Sequence, residues 1–224
     1  MQYGNTQVLD RSDRGTSLIA SHKVLRNTYM LLAATLIFSA ITAGASMALG
    51  LPHPGMLITL VGYFGLLFLT TKLRNSSAGI LAVFALTGFM GYTLGPILSA
   101  YLALPNGHQI VMMAMAGTAV IFGVLSAVAL VTRKDFGFLS SFLMVGIIVA
   151  FLAGLAAIFF QMPVLSLAVS AAFVLLMAGL ILFETSQIIH GGETNYIMAT
   201  VSLYVSIYNL FVSLLHLLGF ASSD

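Results

Sequence analysis

The sequence predicts an all-α integral membrane protein, a bundle of seven membrane-spanning helices, and three observations predict it. First, only 6% of the 224 residues are charged, 60% are hydrophobic, and the mean hydropathy is +1.08. A soluble domain carries about 25% charged residues because its surface must be wetted. So few charges cannot cover a globule of this size, and lipid must supply most of the surroundings. Second, long apolar stretches recur at lengths that suit a bilayer. Third, the eight Lys and Arg residues fall only in alternate connections between those stretches.

A helix needs about 20 mostly apolar residues to cross a hydrocarbon core of roughly 30 Å. The first span is expected at Asn27–Leu49, behind a polar segment, 1–26, read as a flexible cytoplasmic tail. That segment has no short apolar core followed by a small-residue cleavage site, so no cleavable signal is expected. The second span, Met56–Thr71, is the shortest. The third, Gly79–Ala103, contains Pro96, which should bend the helix or break its hydrogen bonding locally. The fourth runs over Ile110–Val131. The fifth, Phe136–Phe160, and the sixth, Val164–Ile188, are separated only by Gln161-Met162-Pro163, where proline resists helix continuation and favours a tight reversal. The seventh, Tyr196–Phe220, completes a membrane domain over 27–220 and leaves a short C-terminus, 221–224, with Ser222-Ser223-Asp224.

Basic residues are retained in cytoplasmic loops. Arg11, Arg14, Lys23 and Arg26 precede the first span, Lys72 and Arg74 follow the second, and Arg133 and Lys134 follow the fourth. The intervening connections, Gly50–Gly55, Leu104–Gln109 and Gln161–Pro163, hold none. This pattern predicts a cytoplasmic N-terminus and a C-terminus on the far side. Small residues also recur every fourth position, in Ala40/Gly44/Ala48, Gly91/Gly95/Ser99, Ala119/Gly123/Ala127 and Gly146/Ala150/Gly154. Such rows let helices approach closely in lipid, where packing replaces the hydrophobic effect as the driving force.

The seventh span carries the most chemistry. Ser202, Ser206, Asn209, Ser213 and His216 alternate at intervals of four and three, so they form one polar stripe, with Tyr204 and Tyr208 on an adjoining face. Facing lipid, each group would go unsatisfied at several kcal/mol. This helix is therefore expected inside the bundle. Two readings of the stripe stay open: interhelical hydrogen bonding, or a hydrated pocket or conduction path. Glu184 is the one acid within a span, near the cytoplasmic end of the sixth. It is either a proton-sensitive functional group or a side chain that reaches water one turn from the boundary.

Other chemistry finds little support. Cysteine is absent, which removes disulfides, thiolate ligands and Cys nucleophiles. His190 and Glu193 share a loop with Gly191 and Gly192, yet no further ligands stand at a spacing that suggests zinc. His22, His53 and His108 fall in the tail or in connections, where solvation is the default. No nucleophile elbow, His-Glu-x-x-His helix or phosphate-cradling glycine loop occurs, so neither an enzyme nor a cofactor is expected. The polar segment with Arg11, Arg14, Lys23 and Arg26 is either an inert terminus or a handle for a cytoplasmic partner.

Two stretches resemble the Bax inhibitor-1 family. One is Thr87-Gly88-Phe89-Met90-Gly91-Tyr92-Thr93-Leu94-Gly95-Pro96-Ile97-Leu98. The other runs from Gly179-Leu180-Ile181-Leu182-Phe183-Glu184-Thr185-Ser186 to Leu203-Tyr204-Val205-Ser206-Ile207-Tyr208-Asn209-Leu210-Phe211. Within the family, Ser21-His22-Lys23-Val24-Leu25-Arg26-Asn27-Thr28-Tyr29 and His190-Gly191-Gly192-Glu193-Thr194-Asn195-Tyr196 are similar to its proteobacterial YccA branch. The resemblance implies a seven-helix bundle with the last helix central, in the inner membrane of a Gram-negative bacterium. It also implies a partner, substrate and modulator of the membrane-anchored AAA protease FtsH, with the polar tail as the segment the protease would grip. Other members are pH-sensitive calcium leak pathways that use an acidic pair on the last two helices. Glu184 matches the first of those positions, whereas Ser206 stands at the second, where those members carry Asp. Two acids sharing a proton or clamping a divalent cation are then not available in the same form. The resemblance thus favours a regulator, with a proton or calcium leak through Glu184, Ser206 and Asn209 as the rival.

Overall fold

A computed structural model of the chain describes the backbone of residues 5–222 and the side chains of residues 22–222. The described residues form seven long α-helices: α1 (Asn5–Ala48), α2 (Met56–Leu73), α3 (Ala78–Leu102), α4 (Gly107–Thr132), α5 (Ser140–Phe159), α6 (Pro163–His190) and α7 (Tyr196–Ala221). A single 3-10 turn, Gly137–Leu139, leads into α5. All seven contain a stretch long and apolar enough to cross a membrane, and in α1 that stretch is His22–Ala48. Helical backbone therefore starts ahead of the first span, within the segment read from sequence as a polar tail. The Arg11 and Arg14 side chains lie outside the described residues, as does Asp224.

α7 occupies the middle of the bundle, packed by α1, α3, α4 and α6. α2 lies outside α3, and α5 lies outside α6. Burial follows this order: Leu203, Tyr204, Ser206 and Leu210 of α7 are all but inaccessible, whereas Thr70 is the sole buried residue of α2. The outer helices instead present Leu57, Phe68, Phe142 and Leu152 outward, as lipid contact requires.

Helix ends follow local chemistry. α6 opens on Pro163, whose missing N–H is no loss in a first turn. It closes on Gly191, held at φ 76°, with the Gly192 N–H donating to the Gln187 carbonyl at 2.8 Å. The reversal between α5 and α6 is as tight as the sequence suggests. α7 is capped by Asn195, whose Oδ1 accepts from Ile197 N at 3.0 Å and Met198 N at 3.1 Å.

α3 stays helical through Pro96. Proline cannot donate to the carbonyl four residues back, and that carbonyl, on Tyr92, instead accepts from Ser46 Oγ of α1 at 3.0 Å. The contact is close because Gly91 and Gly95 face α1. A Cβ at Gly91 would run into the Ser39 carbonyl and the Thr42 hydroxyl, and one at Gly95 would lie 2.6 Å from Ser46 Cβ. The small-residue row on α3 therefore works as a helix contact, and on α5 Ala150 is buried while Gly146 abuts Leu176. The rows Ala40/Gly44/Ala48 and Ala119/Gly123/Ala127 do not pack inward; all six residues are exposed. Periodicity finds such rows, but the rotation of each helix decides which one meets a neighbour.

Candidate functional site

The polar groups of α7 divide between two faces. Toward α1 and α3, Tyr204 Oη lies 2.6 Å from Ser39 Oγ and 3.3 Å from the Thr87 carbonyl, to which it donates. Tyr208 Oη lies 3.3 Å from Thr93 Oγ1, and the two tyrosine rings stack with centroids 6.3 Å apart. Nearer the α6–α7 loop, Thr200 donates to the Thr28 carbonyl of α1 at 3.3 Å. This face is hydrogen-bonded glue with no acid in it.

The other face meets α6. Ser206 Oγ lies 3.0 Å from Glu184 Oε2 and 3.0 Å from the Ser202 carbonyl. One hydroxyl hydrogen cannot serve both acceptors at once. When Glu184 is ionised, Ser206 donates to its carboxylate. When Glu184 is protonated, it can donate to Ser206, and Ser206 then turns its hydrogen to Ser202. The same atoms thus accommodate both protonation states without moving a helix.

Glu184 is half-buried and lines an open cavity of about 510 Å³ together with Phe183, Gln187, Gly192, Glu193 and Ser202. It lies six residues inside the end of α6 at His190, which at 1.5 Å per residue is about 9 Å. Depth and access coexist: the carboxyl sits inside the bundle yet faces a space that the loop residues line. Glu193 brings a second carboxyl to this cavity, and its Oε1 accepts from Asn195 N at 2.7 Å. Among the described residues, no three His, Asp or Glu side chains gather as a metal ion would need.

The remaining stripe residues go elsewhere. Asn209 donates to the Val205 carbonyl at 2.9 Å and lines a separate, mostly apolar cavity of about 500 Å³ with Thr93, Phe151, Phe173 and Tyr208. His216 Nδ1 lies 2.7 Å from Ser170 Oγ of α6, far along the helix from Glu184. Ser213 is buried. Glu184, Ser206 and Ser202 are therefore brought together, and Asn209, Ser213 and His216 are not. Lys23 and Arg26 are exposed near the start of the first span.

Two residues that sequence reasoning left aside organise the cavity's rim. His190 Nε2 lies 3.0 Å from the Arg133 carbonyl and its Nδ1 2.9 Å from the Ser186 carbonyl, while Ser186 Oγ accepts from Phe136 N at 3.1 Å. Asn195 Nδ2 donates to the Arg74 carbonyl at 2.9 Å and to Asn75 Oδ1 at 3.0 Å. The α6–α7 loop therefore ties down both of the basic loops, so Lys72, Arg74, Arg133 and Lys134 share one end of the molecule. Asn195 directly before an apolar run is a legible cap signal. The contact of His190 with the Arg133 carbonyl is not legible, because it spans 57 residues.

These features define a class: a seven-helix membrane bundle around a central polar helix, with a half-buried carboxyl on the neighbouring helix near its loop end. A family model described as "Inhibitor of apoptosis-promoting Bax1" matches residues 21–223, and the chain belongs to this family, the Bax inhibitor-1 family that its motifs resemble. Among its relatives, "Modulator of FtsH protease YccA" of Escherichia coli K12 is 58% identical over 218 residues, covering 97% of this chain and 99% of that protein. "Inner membrane protein YccA" of a second Escherichia coli strain matches to the same extent. An "Uncharacterized membrane protein" of Vibrio cholerae is 42% identical over 98% of this chain and 99% of its own length.

Proposed function

We propose that this protein is an inner-membrane partner and modulator of a membrane-anchored protease of the FtsH type. The observation that carries the reading is the 58% identity over 97% of the chain to a protein named for that activity. The match extends over 99% of that protein's length as well. The reading takes the N-terminus as cytoplasmic and the C-terminus as periplasmic, because the loops bearing all eight cations share one side. The polar segment 1–26 then stands on the side where an ATP-driven protease would grip a substrate, with Arg11, Arg14, Lys23 and Arg26 as its charged contacts. The protein would act by binding and would need no catalytic group or cofactor.

Two experiments test this. Deleting residues 1–20 should slow turnover in cells several-fold while the membrane domain still co-purifies with the protease in mild detergent. Unchanged turnover would remove the handle, and repeated failure to co-purify would remove the partnership. Orientation is checked with single introduced cysteines, each the sole thiol in a chain that has none. A cysteine at Ser222 should react with an impermeant maleimide from the periplasm, and one at Asn75 should not.

A second reading, a proton-gated cation leak, is favoured by one observation: the Ser206–Glu184 hydrogen bond at 3.0 Å beside an open cavity. Its path is closed deeper in, where Ile181 and Leu210 are fully buried and Asn209 lines another cavity. Conduction would require α6 and α7 to separate. Calcium or proton flux into liposomes should then vary with pH and lose that variation in Glu184→Gln; absence of flux at every pH would end this reading.

A further inference from the structure

A second open space lies apart from the Glu184 cavity. His22, Lys23, Leu25, Arg26 and Tyr29 of α1 and Leu130 of α4 line a groove of about 690 Å³, within the roughly 300–1,000 Å³ range of ligand sites. We propose that this groove seats the phosphate headgroup of an anionic phospholipid.

Position supports a lipid. Leu130 stands two residues before α4 ends at Thr132, and Lys23 and Arg26 directly precede the long apolar run of α1. The groove therefore lies where the spans emerge from the hydrocarbon, at headgroup depth. Its lining is layered to match. Lys23 and Arg26, three residues apart on one helix face, supply exposed cations, and His22 adds a ring N–H. The chain leaves α4 as Arg133-Lys134, which follow Leu130 by three and four residues. Among the described residues, no carboxylate lines the groove. Next to the charges the walls become apolar, with Leu25, Leu130 and the Tyr29 ring, which lies 6.0 Å from Phe122 of α4. Exposed Met30, one turn beyond Arg26 on α1, continues that apolar surface toward the bilayer centre, where acyl chains would run. Basic pockets between helices at the cytoplasmic boundary bind lipid phosphates in this manner.

One unsatisfied group points the same way. The Tyr29 hydroxyl is buried and has no hydrogen-bond partner among the described residues. Leaving such a donor unpaired is costly, and a turn of the side chain into the groove it lines would pair it with a phosphate oxygen. A free anion would use only the upper, charged layer, whereas a phospholipid uses both layers.

The test uses the full chain in nanodiscs containing equal amounts of phosphatidylglycerol and phosphatidylcholine, with lipid retention read by native mass spectrometry after mild extraction. Phosphatidylglycerol should be retained in preference to phosphatidylcholine. The preference should fall roughly tenfold or more in Lys23→Gln/Arg26→Gln, at about one charge–surface interaction lost per residue. It should be unchanged in Lys72→Gln/Arg74→Gln, which removes the same charge from the same end. Tyr29→Phe, a change too small to endanger folding, should lower it about threefold. Equal retention of the two lipids would overturn the proposal. So would an equal loss in the Lys72/Arg74 control, which would mean bulk charge, or displacement by millimolar inorganic phosphate, which would mean a free-anion site. No protease is present, so the outcome is independent of the partnership proposed above.

Discussion

The two polar faces of α7 are built from similar residues and do different things. Toward α1 and α3, Tyr204 and Tyr208 are held by hydroxyls and a backbone carbonyl. Toward α6, Ser206 meets a carboxyl beside an open cavity. The first arrangement has one satisfied pattern, because a tyrosine hydroxyl between Ser39 and the Thr87 carbonyl keeps its hydrogen. The second has two, because Glu184 can gain or lose a proton and Ser206 can turn to follow. A polar group in a membrane helix thus becomes glue or a site according to what faces it. The difference predicts rigidity on one side and tolerance on the other.

The comparison can be broken or sharpened by substitution, with stability measured as the thermal transition in detergent. The largest effect should come from Gly91→Leu, which drives a side chain into the Ser39 carbonyl and separates α1 from α3; a loss of about 3 kcal/mol is expected. Tyr204→Phe keeps the ring and removes the hydroxyl between Ser39 and Thr87, and should cost about 1–2 kcal/mol. Asn195→Ala removes a helix cap and should cost about 1 kcal/mol. It should also free the α2–α3 loop, seen as faster amide exchange at Asn75 and Ser76. The smallest effect is expected for Glu184→Gln, within about 0.5 kcal/mol, since an amide can still accept from Ser206. A Glu184→Gln cost equal to that of Tyr204→Phe would erase the distinction between the two faces.

Much of the fold is legible in the sequence because crossing a bilayer is a property of one segment at a time. Each span sums its own hydropathy, and apart from the start of α1 the helices begin and end within about four residues of the expected positions. The widest disagreement is at the first span, where α1 begins at Asn5 and runs unbroken through Lys23 and Arg26. These long side chains reach the interface and need not end the helix. Pro96 is visible in the sequence as a broken hydrogen bond, but its repair by Ser46 is not, because the donor sits on another helix. The same limit applies to the site. The α7 stripe and Glu184 stand out in sequence, yet nothing local says that Ser206 reaches Glu184 while Asn209 opens into a different space.

The sequence by itself determined the class of protein, the number of candidate spans and the family. Each of these depends on composition, on period along one helix, or on a local motif. Only the tertiary structure decided which face of α7 meets α6, that Glu193 shares a cavity with Glu184, and that His190 and Asn195 bind the basic loops together. It also brought Lys23 and Arg26 beside Leu130 to form a groove. The physical reason is that helices in lipid are placed by rotation and close approach. A few small residues and scattered hydroxyls set these, and their partners are known only once all the helices are packed.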